Sequence, residues 1–318
     1  MHNSHHQPML ALALRAVASF LIATLFMLVK LAGQRGVALP ELLFWLQFIS
    51  LPILLAWFAA RRDLRSLATA QIGGHIGRAL VGMTSIALSF SASQMLSLSD
   101  FTALTFTAPL FAVMFSALIL REHVGWWRWG AVVCGIIGVI IIARPGSAAI
   151  PVIGGICALL AAMTSAVTSF QMRHLGRTDP PVRTVFWYAL LGSSLTAGFL
   201  PFFTHGHDAA TWTLLLAIGI VGALVQFTLA ASLRHGSVAS VIVVDSTQLL
   251  WAAAYGWAIW KQLPMPTLWL GAPLVLLAGA VIAWREHRLS RTTPVNAPQG
   301  APSACLSQDG EPASPRVF

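Results

Sequence analysis

The feature that most constrains this chain is a series of ten long apolar blocks. A helix needs about 20 apolar residues to cross the hydrocarbon core of a bilayer. Charged or turn residues separate the blocks, as at Arg61-Arg62-Asp63 and Arg144-Pro145-Gly146. The blocks cover residues 10–31, 40–60, 72–92, 97–120, 126–143, 149–172, 182–203, 211–233, 237–260 and 266–284. This pattern predicts an all-α integral membrane protein with ten transmembrane helices.

Composition excludes the main alternatives. Of the 318 residues, 57% are apolar and only 9% are charged, and the mean hydropathy is +0.77. So few charges could not cover the surface of a water-soluble domain of this size. The long blocks also lack the two-residue alternation of a transmembrane β-barrel. The three cysteines have neither a disulfide framework nor metal-ligand spacing, so we predict no metal site and no cofactor.

The basic residues of the loops predict the orientation in the membrane. If the N-terminus is inside, the inner segments hold 13 Arg and Lys residues and the outer segments hold 4. Because inner loops carry the excess of positive charge, both termini are predicted to be cytoplasmic. The net charge of +9 is dispersed over these loops, so we expect no nucleic-acid partner.

A weak internal repeat divides the chain into two halves. Leu120 to Ala143 aligns with Lys261 to Trp284 at a constant offset of 141 residues. This period corresponds to five spans, and an odd number of spans places the second half upside down relative to the first. Inverted repeats are typical of secondary transporters. We predict a cytoplasmic segment over 1–9, one repeat over 10–145, a second over 149–286 and a disordered cytoplasmic tail over 287–318.

Two stretches carry the patterns of one family, the first a specific motif and the second a looser one. The first is DFTALTFTAP, from Asp100 to Pro109, and the second is DSTQLL, which begins at Asp245 and is followed by AAYGW. They resemble the fourth and ninth helices of the EamA family of the drug/metabolite transporter superfamily. Gln47 and Lys261-Gln262 depart from the family pattern. The resemblance covers roughly residues 10–286. It implies ten helices in two inverted five-helix repeats, a central cavity and an inner-membrane location.

Span nine carries an ionisable group within the predicted hydrocarbon core. Asp245 lies about eight residues into the span, roughly 12 Å deep at 1.5 Å per residue. A charge at the bilayer centre costs about 2.5–3.5 kcal/mol, so it needs a partner or a role. We predict that Asp245 accepts a proton or binds a cationic substrate group, with Gln248 and Tyr255 on the same helix face. The alternative is a structural ion pair, most simply with Arg78.

Span three carries a second polar stripe, which includes His75, Arg78, Ser85 and Ser89. Their spacings of three, four and seven residues place them on one helix face. Because guanidinium binds carboxylate or phosphate through two hydrogen bonds, we predict that Arg78 binds an anionic substrate group. We predict that the two serines line a wet cavity. The alternatives are that Arg78 snorkels to the cytoplasmic surface and that the serines permit close helix packing.

Three further side chains, together with Tyr255, complete the candidate substrate site or support it. Trp251 and Tyr255 offer surfaces on which a flat ring could stack, and Gln47 and Gln226 are candidate hydrogen-bond donors.

Four other residues are expected to have structural roles. Asp100 should complement the N-terminus of its helix, and Pro109 should break span four. Lys30 and Arg15 lie near the ends of span one and should snorkel toward water.

The sequence therefore predicts a secondary transporter, a monomer or weak homodimer, with lipid and a small-molecule substrate as its partners. It would move a small polar metabolite by alternating access of spans 1–5 against spans 6–10, coupled to protons or by exchange. An amino acid or related zwitterion is favoured, since Asp245 and Arg78 could bind its two charges together. The chain has no HExxH, GxSxG or Walker motif, so no enzyme activity is predicted. The alternative is a membrane-embedded small-molecule sensor or enzyme on the same scaffold.

Overall fold

The structure is a computed structural model that describes residues 8–60, 67–118, 125–143, 151–176, 178–235 and 244–292. These residues form helices, turns and loops, with no β-strand among them. The helices are α1 (Pro8–Gln34), α2 (Leu39–Ala60), α3 (Ile72–Met95), α4 (Leu98–Thr105), α5 (Ala108–Leu118), α6 (Trp126–Ala143), α7 (Val152–Leu175), α8 (Pro181–Ala197), α9 (Leu200–Phe203), α10 (Ala209–His235), α11 (Thr247–Trp260) and α12 (Pro266–Thr292).

Eight of the predicted spans are long and apolar enough to cross a membrane. These spans are α1, α2, α3, the segment formed by α4 and α5, α6, α7, α10 and α12. The predicted all-α membrane class is thereby confirmed. The other two predicted spans, 182–203 and 237–260, contain the shorter helices α8 and α11. The beginning of the second of these spans lies outside the described residues.

Span four is broken, as Pro109 predicts. Helix α4 ends at Thr105, and α5 begins at Ala108 with Pro109 as its second residue. Proline has no backbone N–H and clashes with the carbonyl group four residues earlier, so the helix cannot continue through this point. The hydroxyl of Thr107 donates to the Leu104 carbonyl oxygen over 2.7 Å. The break therefore keeps a polar contact inside the apolar layer.

Two predicted boundaries are wrong. The seventh span, predicted over 182–203, is interrupted because α8 ends at Ala197 and a turn precedes the four-residue α9. The tail predicted from residue 287 is helical over its first residues, since α12 continues to Thr292. The remainder of the predicted tail, 293–318, and the first seven residues lie outside the described part of the chain.

The most extensive helix contacts join the two predicted halves. They are formed by α6 with α12, α1 with α10, and α3 with α7. In the predicted repeat, α1 corresponds to α7, α3 to α10, and α6 to α12. Under this correspondence the α1–α10 contact is equivalent to the α3–α7 contact, and the α6–α12 contact is equivalent to itself. Gly138 permits the α6–α12 approach, because a Cβ there would lie 2.8 Å from the Gly271 carbonyl oxygen. The two predicted halves therefore pack against each other through an extensive interface and are not separate helical bundles.

The two ends of the bundle carry the polar groups described below. We call the end at which α1 begins the proximal end and the end at which α1 finishes the distal end. Lys30 near the end of α1 bonds to Leu96 after α3, and Arg35 after α1 lies near Asp208 before α10, so α3 begins at the proximal end and α10 at the distal end. Contacts between the helix starts then place the beginning of α8 with that of α3 and the beginning of α2 with that of α10. Apolar clusters around Leu42 and Phe90, and around Phe101 and Leu104, fill the space between the ends.

Candidate functional site

A central cavity of about 170 Å³ lies between helices of the first half and α7 of the second. Its wall comprises Phe26, Ser85, Ser89, Phe101, Thr105, Ala161, Ala162 and Ser165. The Ser85 hydroxyl donates to the Ala161 carbonyl oxygen over 3.1 Å, and the Ser89 hydroxyl donates to the Ser85 carbonyl oxygen over 2.9 Å. The two predicted serines thus lie at a cavity, where Ser85 also holds α3 against α7. The break after Thr105 opens beside the same cavity.

Arg78 lies two turns from Ser85 along α3, in the α3–α7 seam. Its Nε donates to the Met172 sulfur over 2.7 Å, and its guanidinium carbon lies 4.7 Å from the centre of the Tyr188 ring. The side chain is buried, so the alternative that it snorkels to the surface is wrong. Nη1 is buried without a hydrogen-bond partner, and no described carboxylate pairs with the guanidinium. This leaves a buried cation with capacity to bind an anion.

Tyr188 is a neighbour of Arg78 that the sequence did not single out. A Cβ on Gly82 would lie 2.7 Å from the Tyr188 ring, so the glycine makes room for the ring beside Arg78. Tyr188 is one of only two tyrosines in the chain and falls inside a predicted span. A polar aromatic residue within an apolar block was the signal that could have revealed it.

Asp245 forms an ion pair with Arg15 rather than with Arg78. Arg15 Nε and Nη2 donate to the two carboxylate oxygens over 2.6 and 2.7 Å. The Ser19 hydroxyl lies 3.5 Å from one of these oxygens. The structural ion pair that was the alternative for Asp245 is thus present, but its partner is Arg15 and not Arg78. The predicted snorkelling of Arg15 is wrong. The reason is that α11 packs against α1, which brings Asp245 to the first turns of α1.

Two of the candidates on α11 contact α1. The Tyr255 hydroxyl lies 2.8 Å from the Thr24 hydroxyl, and the Trp251 ring meets Phe20 edge-on at 4.9 Å between ring centres. Gln248 is half-buried on the same helix. The stripe predicted on span nine therefore contributes to the α1–α11 interface and is absent from the wall of the central cavity.

The two predicted glutamine donors lie in different places. Gln47 is buried beside Gly192, with its Nε2 3.4 Å from the Met83 sulfur. Gln226 lines a small, mostly apolar space between α2, α8 and α10, together with Ser50. The nine predicted site residues are thus distributed over the central cavity, the α3–α7 seam, the α1–α11 interface and the surroundings of α2.

At the proximal end, one carboxylate collects three side-chain donors. His75 Nε2 and the Thr69 hydroxyl each lie 2.7 Å from Asp179 Oδ2, and Arg183 Nη1 lies 2.7 Å from Oδ1. The His75 ring stacks on Trp187 at 6.0 Å between ring centres. Burial disfavours the charged form, but the hydrogen bonds from His75, Thr69 and Arg183 hold the pKa of the Asp179 carboxyl below its ordinary value. We call His75, Asp179, Thr69 and Arg183 the proximal cluster.

At the distal end, a second histidine meets a second carboxylate. His207 Nε2 lies 2.9 and 3.0 Å from the two oxygens of Glu41, whose side chain is fully buried. The Trp212 ring packs edge-on against His207 at 5.8 Å between ring centres. We call His207 and Glu41 the distal pair. Like the proximal cluster, it joins the two predicted halves, and sequence reasoning missed both because neither motif is local.

A larger cavity, of about 400 Å³, opens at the distal end, and we call it the distal vestibule. Its wall comprises Lys30, Gln34, Gln94, Met95, Leu96, Ser97, Asp100, Pro151, Gln262, Leu263 and Met265. Ser97 caps α4, and Asp100 in the first turn accepts the Ser97 hydroxyl over 2.6 Å, so the predicted role of Asp100 at the helix N-terminus is confirmed. Lys30 is buried and bonds to the Leu96 carbonyl oxygen, so its predicted snorkelling is wrong.

Comparison with known proteins agrees with this architecture. The EamA-like transporter family matches residues 9–144 and 152–284. A riboflavin transporter of Vibrio cholerae is 29% identical over 245 residues, which cover 76% of this chain and 82% of the relative. The pseudopaline exporter CntI of Pseudomonas aeruginosa is 26% identical over 268 residues, which cover 83% of this chain and 93% of the relative.

A solved crystal structure shares the fold. It superposes with a TM-score of 0.58 at 22% sequence identity, and the match covers 86% of this chain and 98% of the other. The helix arrangement described above is therefore one that another chain adopts almost over its whole length.

Proposed function

This chain belongs to the EamA-like transporter family, and we propose from that premise that it is a secondary transporter of a small polar metabolite that works by alternating access. Transport is the activity that the names of its relatives share. The proposed topology has ten spans in two inverted repeats, with both termini on the cytoplasmic side of an inner membrane. The equivalence of the α1–α10 and α3–α7 contacts supports this topology.

One observation carries the mechanism: two buried histidine–carboxylate contacts join the same two halves at opposite ends. The proximal cluster connects His75 of the first half to Asp179 of the second, and the distal pair connects Glu41 to His207. The central cavity lies between them. Alternating access requires that one end opens while the other stays closed. We propose that these contacts are the two closures and that they break in turn.

The binding group that we propose for the substrate is Arg78. A thioether is a weak hydrogen-bond acceptor, so a carboxylate or phosphate can replace the Met172 sulfur at little cost and gain a charge-assisted bond. The buried Nη1 offers a second donor in the fork geometry that carboxylates accept. Ser85 and Ser89 lie further along the same face of α3 and supply hydroxyls for the polar remainder of the solute. The Tyr188 ring, 4.7 Å from the guanidinium carbon, stabilises the cation.

Asp245 is our candidate proton acceptor if transport is coupled to protons. Its ion pair with Arg15 ties the segment just before α11 to α1, and protonation of the carboxyl group would remove that charge pair. Proton binding would thereby change how two helices of opposite halves are held together. Exchange of one solute for another is the alternative coupling, and it requires no such step.

The experiment is solute counterflow in proteoliposomes, with a mixed pool of labelled metabolites that includes amino acids and riboflavin. We expect one solute class to accumulate with the wild type and at least about tenfold less with Arg78→Gln, because a charged hydrogen bond is lost. Arg35→Gln removes an exposed arginine and serves as the matched control. Saturable binding of a solute without any counterflow would instead indicate a sensor.

The coupling is tested on the same vesicles. Counterflow needs no proton gradient, whereas accumulation against a concentration gradient does in a proton-coupled transporter. We expect Asp245→Asn to retain counterflow and to lose accumulation driven by a pH gradient. If the variant keeps both activities, Asp245 serves only to pair with Arg15, and exchange is the better mechanism.

A further inference from the structure

A groove separates α11 from α12 on the outside of the bundle. The two helices follow each other along the chain, joined by residues 261–265, but among the described residues they have no extensive contact with each other. Helix α11 packs against α1 and α4, whereas α12 packs mainly against α6. A space of about 340 Å³ lies between them. We call this space the α11–α12 groove.

The wall of the groove is almost entirely apolar. Six of its side chains are aliphatic residues of the two helices: Leu249, Leu250, Ala253, Leu268, Ala272 and Leu276. Its two hydroxyl residues, Ser246 and Thr247, lie where α11 begins, away from the distal end. Leu250 is 62% exposed and Trp269, also in the wall, is 64% exposed, so the groove opens toward the surrounding lipid. A hydrocarbon chain is the occupant that gains dispersion contacts with such a wall.

The length of the groove matches one leaflet of a bilayer. Its wall on the second helix extends from Pro264, just before α12, to Leu276. The helical part, 266–276, is about 15 Å long at 1.5 Å per residue, which is half of the roughly 30 Å hydrocarbon core. A transmembrane helix of a second copy or of another protein would need a groove that crosses both leaflets. The acyl chain of one lipid needs a single leaflet.

A basic side chain lies at the distal end of the groove. Lys261 is exposed in the connection between the two helices, shortly before Pro264. Its ammonium group lies 5.6 Å from the centre of the Trp257 ring, and no described carboxylate pairs with it. Exposed tryptophans such as Trp257 and Trp269 are typical of the depth at which lipid head groups lie. A lipid whose chain occupies the groove therefore places its head group at the level of an available cation.

We propose that the α11–α12 groove binds one anionic phospholipid of the distal leaflet, with an acyl chain between the helices and the phosphate at Lys261. This inference goes beyond the transport proposal and does not depend on it, because it assigns a lipid partner and not a solute. An anionic head group is favoured over a zwitterionic one, whose own ammonium group would repel Lys261. The bound chain would also bridge two helices that have no extensive contact with each other in the described part of the protein.

The test measures which lipids remain bound to the full chain. The protein is released from nanodiscs that contain equal amounts of phosphatidylglycerol and phosphatidylcholine with identical acyl chains, and native mass spectrometry counts the retained lipids. We expect the wild type to retain phosphatidylglycerol about fivefold more often, because one lysine near an anionic lipid contributes that much affinity. A phosphatidylglycerol with a diazirine on its acyl chain should crosslink to Leu250, Ala253 or Leu276 on illumination.

Two variants test the two parts of the site separately. Lys261→Met should remove the preference for phosphatidylglycerol. Arg35→Gln is its control, because Arg35 is an exposed arginine at the same end that already contacts Asp208. Ala253→Phe should place a ring in the groove and remove most of the crosslinking. Ala254→Phe makes the same change at the exposed neighbouring position outside the wall, so it should behave like the wild type.

The proposal is overturned if the wild type retains the two lipids equally, or if Lys261→Met keeps the wild-type preference. It is also overturned if the crosslinks lie outside α11 and α12, or if Ala253→Phe leaves them unchanged. A dimer that dissociates in Ala253→Phe but not in Ala254→Phe would show that a second copy occupies the groove, which also contradicts the proposal. These measurements involve no solute, so their failure leaves the counterflow result and the transport proposal standing.

Discussion

The proximal cluster and the distal pair use the same two residue types but hold them with unequal strength. At the proximal end, both oxygens of Asp179 accept hydrogen bonds, and the three donors include Arg183. At the distal end, both oxygens of Glu41 share one imidazole nitrogen of His207. The carboxylate with fewer donors is the more deeply buried. We therefore expect the distal end to open at a lower cost in free energy than the proximal end.

The strength of a histidine–carboxylate contact therefore depends on the other groups that the carboxylate binds. A buried charge is stabilised in proportion to the hydrogen bonds that replace its lost water. Arg183 adds a permanent positive charge that the distal pair lacks. The nearby Arg35–Asp208 contact at the distal end is exposed and 3.7 Å long, so it contributes little.

The largest effect is expected from Asp179→Asn. Because both carboxylate oxygens accept donors, the amide nitrogen must face a donor whichever way the side chain turns. We expect the free energy of unfolding to fall by about 2–3 kcal/mol, since a charged network is broken. The measurement is denaturation by sodium dodecyl sulfate in mixed micelles. Asp208→Asn, at the other end, alters an exposed carboxylate but keeps an acceptor for the Thr211 N–H, so it should change stability by no more than about 0.5 kcal/mol.

A smaller effect is expected from Glu41→Gln. The amide oxygen can still accept from His207, while its nitrogen turns away from the imidazole, so we expect a loss of about 1 kcal/mol. The same variant should increase the labelling rate of a single cysteine placed at the distal end. The comparison fails if this variant destabilises the chain more than Asp179→Asn does.

A backbone change at the distal end sharpens the comparison further. Lys261 ends α11 with φ of 55°, a left-handed conformation that side chains disfavour and glycine adopts freely. We expect Lys261→Gly to stabilise the chain by about 0.5–1 kcal/mol. Thermal unfolding in detergent measures this change. A loss of stability would show that the contact of the Lys261 ammonium with Trp257 outweighs the backbone strain.

The smallest effect concerns acidification of the proximal cluster. Because the native pKa of Asp179 is lowered, its stabilising contribution is complete above its unfolded pKa, about 3.9, and is lost as the pH falls through the native value. We therefore expect no protonation of Asp179 between pH 8 and pH 5. Infrared difference spectra of wild type against Asp179→Asn should lack a protonated carboxyl band over that range. Such a band near pH 6 would contradict the described hydrogen bonds.

Much of the fold could be predicted from the chain, since eight of the ten apolar blocks correspond to candidate membrane spans. The broken span followed from Pro109, whose ring forbids a continuous helix, and the role of Asp100 followed from its place in the first turn of α4. The partners of charged residues could not be predicted in this way. Arg15 and Asp245 are 230 positions apart, and Glu41 and His207 are 166 apart. A pattern of neighbouring residues cannot indicate a contact between positions so far apart along the chain.

The sequence by itself determined that this chain is helical, lies in a membrane and resembles one transporter family. It could do so because a bilayer obliges every span to satisfy its own backbone hydrogen bonds, which makes each helix a local property. Only the tertiary structure decided which buried charges meet. Packing of α11 against α1 places Asp245 beside Arg15. Arg78 lies beside Tyr188, and Lys30 and Asp100 line one cavity. Helix packing sets those encounters, because contact energy depends on distance in space and not on separation along the chain.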